Sequence, residues 1–115
     1  MSDCTFVPAA PGWFAADPWG PCPPVVAWCI NEDGFTMPII YGMVSNISGR
    51  GVSPVEVIAP DGRVFDCDRT YETLHEWRVA IARKALQDPA ERERFDADPS
   101  GWDKLPHGVS PEEVA

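Results

Sequence analysis

Proline is the residue that most limits how this chain can fold. It occupies 13 of the 115 positions, about twice its usual share of ~5%. Within residues 1–24 the prolines are Pro8, Pro11, Pro18, Pro21, Pro23 and Pro24. Each proline fixes φ and lacks a backbone N–H donor. We therefore predict that residues 1–24 form an irregular, extended segment.

The same segment carries the large aromatic side chains of Phe6, Trp13, Phe14 and Trp19. Extended proline-rich segments with aromatics either wrap a domain core or dock on a partner. Wrapping is the favoured interpretation, because four exposed aromatics would leave an adhesive patch on the surface. The sequence leaves docking open.

Residues 25–67 are typical of a β-sheet, since Val and Ile suit a pleated surface and greatly outnumber Leu in this chain. Residues 25–30 form a short apolar run that ends in a turn signal, and we predict a strand there. Residues 35–44 are predicted to return antiparallel, with Pro38 indicating an edge strand or a bulge. A β-hairpin is predicted where 54–59 and 63–67 flank Pro60-Asp61-Gly62, because proline and glycine suit these two turn positions.

Residues 69–96 are predicted to form two helices. The first has an apolar stripe made of Tyr71, Leu74, Trp77, Ile81 and Ala85. Its N-cap is expected at Asp68 or Thr70. The second helix is expected to start at Asp88-Pro89 with Glu91 as the reciprocal partner of a capping box. Residues 97–115 are predicted to be an acidic loop that ends in a helix start at 110–113.

These elements predict a single α+β domain over residues 1–115. We expect a small antiparallel sheet of about four strands with one amphipathic helix packed on a face. The proline-rich segment precedes the sheet, and a short helix lies near the C-terminus.

The net charge of the chain limits the possible classes of function more than any sequence motif does. With 18 acidic and 9 basic side chains, the formal net charge is -9, which argues against direct binding of nucleic acid. The acids that follow the main helix form either a solvated tail or a surface that attracts a cationic partner. In the second interpretation the partner-binding acids are Glu91, Glu93, Asp96, Asp98 and Asp103. The apolar anchors are then Trp13, Phe14, Trp19 and Trp102.

Motifs for catalysis or metal binding are weak. The cysteines Cys4, Cys22, Cys29 and Cys67 lack Cys-x-x-Cys spacing, so free thiols, with Cys29 and Cys67 buried, are favoured over a disulfide or a metal site. The carboxylates of Asp66, Asp68 and Glu72 could hold Mg²⁺ or Ca²⁺, but a strand end followed by a helix cap explains them better. A Cys67–His75 thiol enzyme is a minor alternative. We predict no catalytic residue, no metal and no cofactor.

The distribution of basic and apolar residues predicts the compartment. The first basic residue is Arg50, so a positively charged start of a signal peptide is missing. No stretch approaches the ~20 apolar residues that cross a bilayer. We expect a cytoplasmic protein without a membrane partner.

The stretch 57–64, followed by 71–74 and by Glu76-Trp77, resembles a group of small uncharacterised bacterial and phage accessory proteins. In that group a hairpin with a Pro-Asp-Gly turn leads into a helix that carries Glu-Trp. The resemblance spans about residues 25–85 and brings no catalytic residues. It implies a place in accessory or mobile DNA, where small acidic proteins are often inhibitors of host defence, anti-CRISPR proteins among them.

The first functional hypothesis is therefore a non-enzymatic inhibitor that binds a basic surface of a nucleic-acid-handling complex. The alternative is an immunity or antitoxin-like partner of a dedicated toxin. A small thiol- or metal-dependent enzyme is the third hypothesis.

Overall fold

The computed structural model describes residues 5–30, 32, 36–40, 56–66 and 69–115. Within these ranges the fold is α+β, with two small antiparallel sheets of three and four strands followed by helices. The strands are β1 (Thr5–Pro8), β2 (Phe14–Ala15), β3 (Val25–Ile30), β4 (Thr36–Ile40), β5 (Val57–Ile58), β6 (Val64–Phe65) and β7 (Thr70–Tyr71). The helices are α1 (Leu74–Ala85), α2 (Pro89–Ala97) and α3 (Pro111–Val114), with a 3₁₀ turn at Pro99–Gly101.

The three-stranded sheet has the order β1-β3-β4. Strand β3 covers the predicted residues 25–30, and β4 returns antiparallel as expected. Pro38 lies on β4 at the edge of the sheet, where a missing N–H donor is tolerated. The outer parts of the predicted return, residue 35 and residues 41–44, lie outside the described residues.

The four-stranded sheet has the order β2-β5-β6-β7 and contains the predicted hairpin. The N–H of Gly62 donates to the carbonyl oxygen of Ala59 at 2.9 Å. Gly62 has a φ of +93°, in the region where glycine has no Cβ penalty. The strands of the hairpin are two residues long each, and the predicted ends at 54–55 and 67 lie outside the described residues.

The N-terminal segment is more regular than predicted. Strand β1 pairs with β3, and β2 pairs with β5. Prolines leave both strands possible because Pro8 comes only at the end of an edge strand and no proline lies within β2. The N–H of Ala15 donates to Pro23 O at 2.8 Å and that of Val25 donates to Trp13 O at 2.9 Å. This stretch therefore joins the two sheets.

Helix α1 begins later than predicted. Its N-cap is Thr73, whose hydroxyl accepts the N–H of Glu76 at 3.1 Å. Thr70, one of the two predicted caps, belongs to β7, because its backbone pairs with Phe65 of β6. Asp68, the other, lies outside the described residues. For α2 the predicted start is confirmed, since the Asp88 carboxylate accepts the N–H of Ala90 at 3.0 Å.

Residues 97–115 are not a solvated tail, because they contribute to a hydrophobic core with α1 and α2. The buried members of this cluster are Ala82, Leu86, Phe95, Trp102, Val109 and Val114. The predicted helix start at 110–113 is confirmed as α3, which has a capping box between Ser110 and Glu113. In the predicted stripe of α1, Trp77 is buried, but Ala82 rather than Ile81 enters this core cluster.

Candidate interaction surface

Glu91, predicted to contact a partner, is engaged within the protein. Its side chain is only 14% exposed, and its Oε1 lies 2.7 Å from Lys104 Nζ and 3.3 Å from Arg94 Nη1. Its Oε2 accepts the indole N–H of Trp102 at 2.9 Å. The hydrogen bonds from Lys104 and then Trp102 hold the pKa of Glu91 below its ordinary value. Glu91 therefore ties α2 to the following segment, and the predicted capping role beside Asp88 is replaced by these contacts.

Trp102 is not available as an exposed anchor. It is only 4% exposed and packs edge-to-face on Phe95, with ring centroids 5.5 Å apart. An apolar ring of this size gains more free energy inside the local core than at the surface. The prediction that Trp102 binds a partner directly is wrong for this reason.

The other predicted acids are exposed, but most have partners within the protein. Asp96 pairs with Arg92 at 3.3 Å, and Asp103 pairs with Arg94 at 3.2 Å. Asp98 accepts the N–H of Gly101 at 3.2 Å and so caps the 3₁₀ turn. Within the described part of the chain, Glu93 is exposed and forms no ion pair. The unpaired negative charge at the surface of this region is therefore smaller than its count of acids predicts.

Exposed apolar side chains are concentrated near the N-terminus. Among the described residues, the strongly exposed large hydrophobics all lie between positions 6 and 26: Phe6, Val7, Phe14, Trp19 and Val26. Phe14 and Trp19 were predicted as anchors, whereas the predicted Trp13 is half-buried against Trp28. The segment therefore pairs with both sheets and also presents aromatic side chains to solvent.

Trp19 is the most informative of these residues because its loop is held in place. Trp19 is 57% exposed, and its backbone N–H donates to Asp17 Oδ1 at 2.9 Å. Arg78 of α1 donates from Nε and Nη2 to Asp17 O at 3.1 and 3.0 Å, and from Nη2 to Gly20 O at 2.9 Å. The N–H of His107 donates to Pro18 O at 2.9 Å. The loop over residues 17–20 is thus fixed by α1 and by the C-terminal segment.

Sequence reasoning missed the role of Arg78. Its acceptors are main-chain carbonyl oxygens 61 and 58 positions away. Every residue has a carbonyl oxygen, so no side-chain pattern marks such a partner. Arg78 lies four residues after Leu74 and three before Ile81, so a charged side chain within the predicted apolar stripe was the available signal.

A second feature is an open cleft of about 940 Å³ beside α1, β7 and α3. In it His75 Nε2 lies 2.5 Å from Glu113 Oε2, and Arg83 Nη2 donates to Glu113 O at 2.8 Å. The backbone N–H of Ser110 and the His75 side chain lower the pKa of Glu113 to about 2. These contacts dock α3 on α1, which makes the His75–Glu113 pair a structural link.

Two minor predictions fall partly outside the described residues. Asp68 and Cys67 are not described, so neither the carboxylate cluster with Asp66 and Glu72 nor a Cys67–His75 pair can be assembled from described atoms. Among the residues that are described, no group of three or more His, Cys, Asp or Glu side chains is placed to hold a metal ion.

Two of the four cysteines lie among the described residues and two lie outside them. Cys29 is buried as predicted, with 8% of its surface exposed. Cys22 is in no disulfide, and its sulfur lies 3.9 Å from Arg78 Nη2. Cys4 lies outside the described residues, as does Cys67.

No family model matches this chain, and no curated protein or solved structure shows significant similarity to it. Within the described ranges, no helix has the length and apolar character needed to span a membrane. The comparisons therefore favour no class of function for this chain.

Proposed function

We propose that this protein is not an enzyme and acts by binding another protein through its exposed N-terminal side chains, with Trp19 as the principal anchor. The observation that carries the proposal is a tryptophan that is 57% exposed on a loop fixed by Arg78. An exposed indole on a fixed loop is favourable for binding, since Trp supplies a large contact area and little loop ordering is then required.

A partner with a basic surface is proposed from the charge of the chain. The net charge of -9 produces a long-range field that attracts positively charged proteins and raises their association rate. Glu93 and the weakly paired Asp96 supply exposed negative charge on α2. The charge supports attraction to the partner, and the apolar side chains support the contact itself.

The class of partner proposed is a nucleic-acid-handling complex in the cytoplasm, because such complexes expose basic surfaces that bind phosphates. An inhibitor carried by a phage or mobile element, in the manner of anti-CRISPR proteins, would use an acidic protein in this way. This part of the proposal depends on the resemblance of residues 57–77 to small phage and bacterial proteins.

The first experiment is capture of partners from native bacterial lysate with tagged wild-type protein, Trp19→Phe and Trp19→Ala, read by mass spectrometry. We expect the wild type and Trp19→Phe to retain the partner and Trp19→Ala to lose most of it. The control is Gln87→Ala, which alters an exposed, uncharged side chain just after α1. Equal capture by folded Trp19→Ala and wild type would rule out Trp19 as the anchor.

A second set of captures tests the charge. The variant Glu93→Lys/Asp96→Lys avoids Glu91, whose contacts stabilise the fold. We expect capture by this variant to weaken and capture by the wild type to fade as salt rises. One small partner that is retained at all salt concentrations would instead favour the immunity or antitoxin-like function.

A further inference from the structure

A shallow apolar hollow of about 320 Å³ lies where the two sheets meet. Its floor and walls include the rings of Trp13, Trp28 and Phe65. The remaining lining residues are Thr36, Pro38 and Val57. No ionisable side chain is among these six residues. The hollow is distinct from the loop that carries Trp19.

The pairing of the strands explains why these residues meet. Trp28 of β3 lies opposite Pro38 of β4, and Val57 of β5 lies opposite Phe65 of β6. Trp13 directly precedes β2, in the stretch whose backbone joins both sheets. The hollow therefore combines residues from both sheets with Trp13 from the connection between them.

The three aromatic rings pack on one another and together line one continuous part of the hollow. The centroids of Trp13 and Trp28 are 5.4 Å apart with an interplanar angle of 85°. Trp13 and Phe65 are 6.3 Å apart with an angle of 35°. At these distances the rings are in contact, so a bound group would lie against the ring surfaces that face the hollow rather than between the rings. The face of an indole is the best aromatic surface for a cation within about 6 Å of its centroid.

The protein already places one cation on this cluster. Arg63 Cζ lies 5.5 Å from the centroid of the Phe65 ring. Its charge is balanced by Asp61, whose Oδ2 lies 2.8 Å from Arg63 Nε. A guanidinium is therefore accommodated on one ring of this cluster, where a neighbouring carboxylate offsets its positive charge.

Charge complementarity favours a cationic occupant for the hollow itself. The chain has a net charge of -9, and no basic side chain lines the hollow. A guanidinium is planar and more weakly hydrated than an ammonium, so it loses less on entering an aromatic site. An arginine side chain also has an apolar stem that can pack on the pyrrolidine ring of Pro38 and on Val57.

We propose that the hollow formed by Trp13, Trp28 and Phe65 binds the guanidinium of an arginine from the partner protein. This inference rests on the proposed function, because the basic surface of the partner supplies the arginine. It adds a second contact of defined chemistry, separate from the contact made by Trp19.

The experiment uses the ¹⁵N-labelled full chain and needs no partner. Indole N–H signals, assigned with Trp13→Phe and Trp28→Phe, are followed by NMR during titration with Nα-acetyl-arginine methylamide. The neutral citrulline and the proline derivatives are titrated in parallel. We expect the signals of Trp13 and Trp28 to shift, that of Trp19 to stay in place, and arginine to bind roughly fivefold more tightly than citrulline. Equal binding of arginine and citrulline, tighter binding of proline, or no shift would each overturn the proposal.

Two variants separate this proposal from the proposed function. Phe65→Leu keeps an apolar side chain but removes one ring, and we expect it to weaken arginine binding. If Phe65→Leu is unfolded by its NMR spectrum, Trp28→Leu replaces it in the same titration. Trp19→Ala is expected to leave arginine binding unchanged even if partner capture is lost. Unchanged binding in a folded ring variant would show that the hollow is not the site, whatever the capture experiments give.

Discussion

The indole N–H of Trp102 donates to the carboxylate of Glu91 at 2.9 Å. The ring of Trp102 belongs to the local core, and the carboxylate belongs to α2. Glu91, one of the acids that follow α1, therefore accepts the hydrogen bond of the indole N–H of buried Trp102. The contact also fixes the path of the chain after the 3₁₀ turn.

We expect Trp102→Ala to lower the free energy of unfolding by about 3–5 kcal/mol, as for other large buried aromatics. Glu91→Gln retains an acceptor for the indole but loses the ionic contacts with Lys104 and Arg94, so its effect should be smaller. Urea unfolding followed by circular dichroism measures both. Glu93→Gln, an exposed change on the same helix, is the matched control and should leave stability unchanged. A stable Trp102→Ala would contradict the assignment of Trp102 to the core.

The second prediction concerns the stability of the fold at low pH. The pKa of Glu113 is lowered to about 2 in the folded protein, mainly by the backbone N–H of Ser110, whereas its unperturbed value is 4.5. The ionised carboxylate therefore stabilises the fold above pH 4.5, and this contribution is lost as pH falls from 4.5 through about 2.

Glu113→Gln should lower stability at neutral pH and make the decline between these pH values shallower. Urea midpoints measured over that range test the prediction. Glu91 and Asp61 also have lowered pKa values, so the variant should keep part of the acid dependence. Identical pH profiles for the wild type and Glu113→Gln would show that the contacts of this carboxylate contribute nothing.

The third prediction concerns the loop of residues 17–20. Arg78→Ala removes three hydrogen bonds to its carbonyl oxygens, and we expect a loss of about 2–3 kcal/mol. Arg78→Lys keeps the charge but not the planar fork, so its loss should be intermediate. Arg92→Lys is the control, since it keeps the charge and the contacts of Arg92 lie on its own helix, an exposed pair with Asp96 and a ring contact with Phe95.

Hydrogen exchange provides the local readout for these Arg78 variants. The amides of Trp19 and Gly20, which donate to Asp17, should exchange faster when Arg78 is changed. Slow exchange in Arg78→Ala would mean that the Asp17 turn orders the loop without α1.

The fourth prediction compares two glycines with positive φ. Gly62 has a φ of +93° and open space where a Cβ would lie, so Gly62→Ala should cost about 1–2 kcal/mol from backbone strain alone. Gly12 has a φ of +99°, and an added Cβ would lie 3.1 Å from Cβ of Pro60. Gly12→Ala should therefore be more destabilising than Gly62→Ala.

Thermal unfolding of the two variants beside Gly20→Ala tests this order. The φ of Gly20 is not in the positive range, and the nearest atom to an added Cβ is Asp17 Oδ2 at 3.8 Å. Its substitution should have little effect. If Gly62→Ala were as destabilising as Gly12→Ala, the contact of the added Cβ with Pro60 would not contribute to the destabilisation.

Local signals predicted the elements that depend on local chemistry. The Pro60-Asp61-Gly62 turn, the strand at 25–30 and the Asp88-Pro89 helix start were confirmed, because each is set by a few neighbouring residues. Strands β1 and β2 were missed, since their partners lie in β3 and β5 and the prolines around them suggested irregular backbone. The start of α1 was placed too early for a related reason, because Thr70 is drawn into a strand by β6.

The candidate site was predicted only in part. Trp19 and Phe14 are exposed as an anchor requires. The partner-binding role of the acids after α1 was predicted from their charge alone. Charge does not reveal that the Glu91 carboxylate accepts hydrogen bonds from Lys104 and Trp102. The hollow beside Trp13 could not be anticipated, because it needs Trp28 and Phe65 to come together from two different sheets.

The fixation of the Asp17–Gly20 loop by Arg78 also has a kinetic consequence. A loop that is already ordered loses little conformational entropy on complex formation, so more of the contact energy of Trp19 is retained in the complex. Differences between related complexes are expressed chiefly in dissociation. A complex formed through Trp19 should consequently have a long residence time. Loosening the loop from α1 should shorten that residence time more than it lowers the association rate.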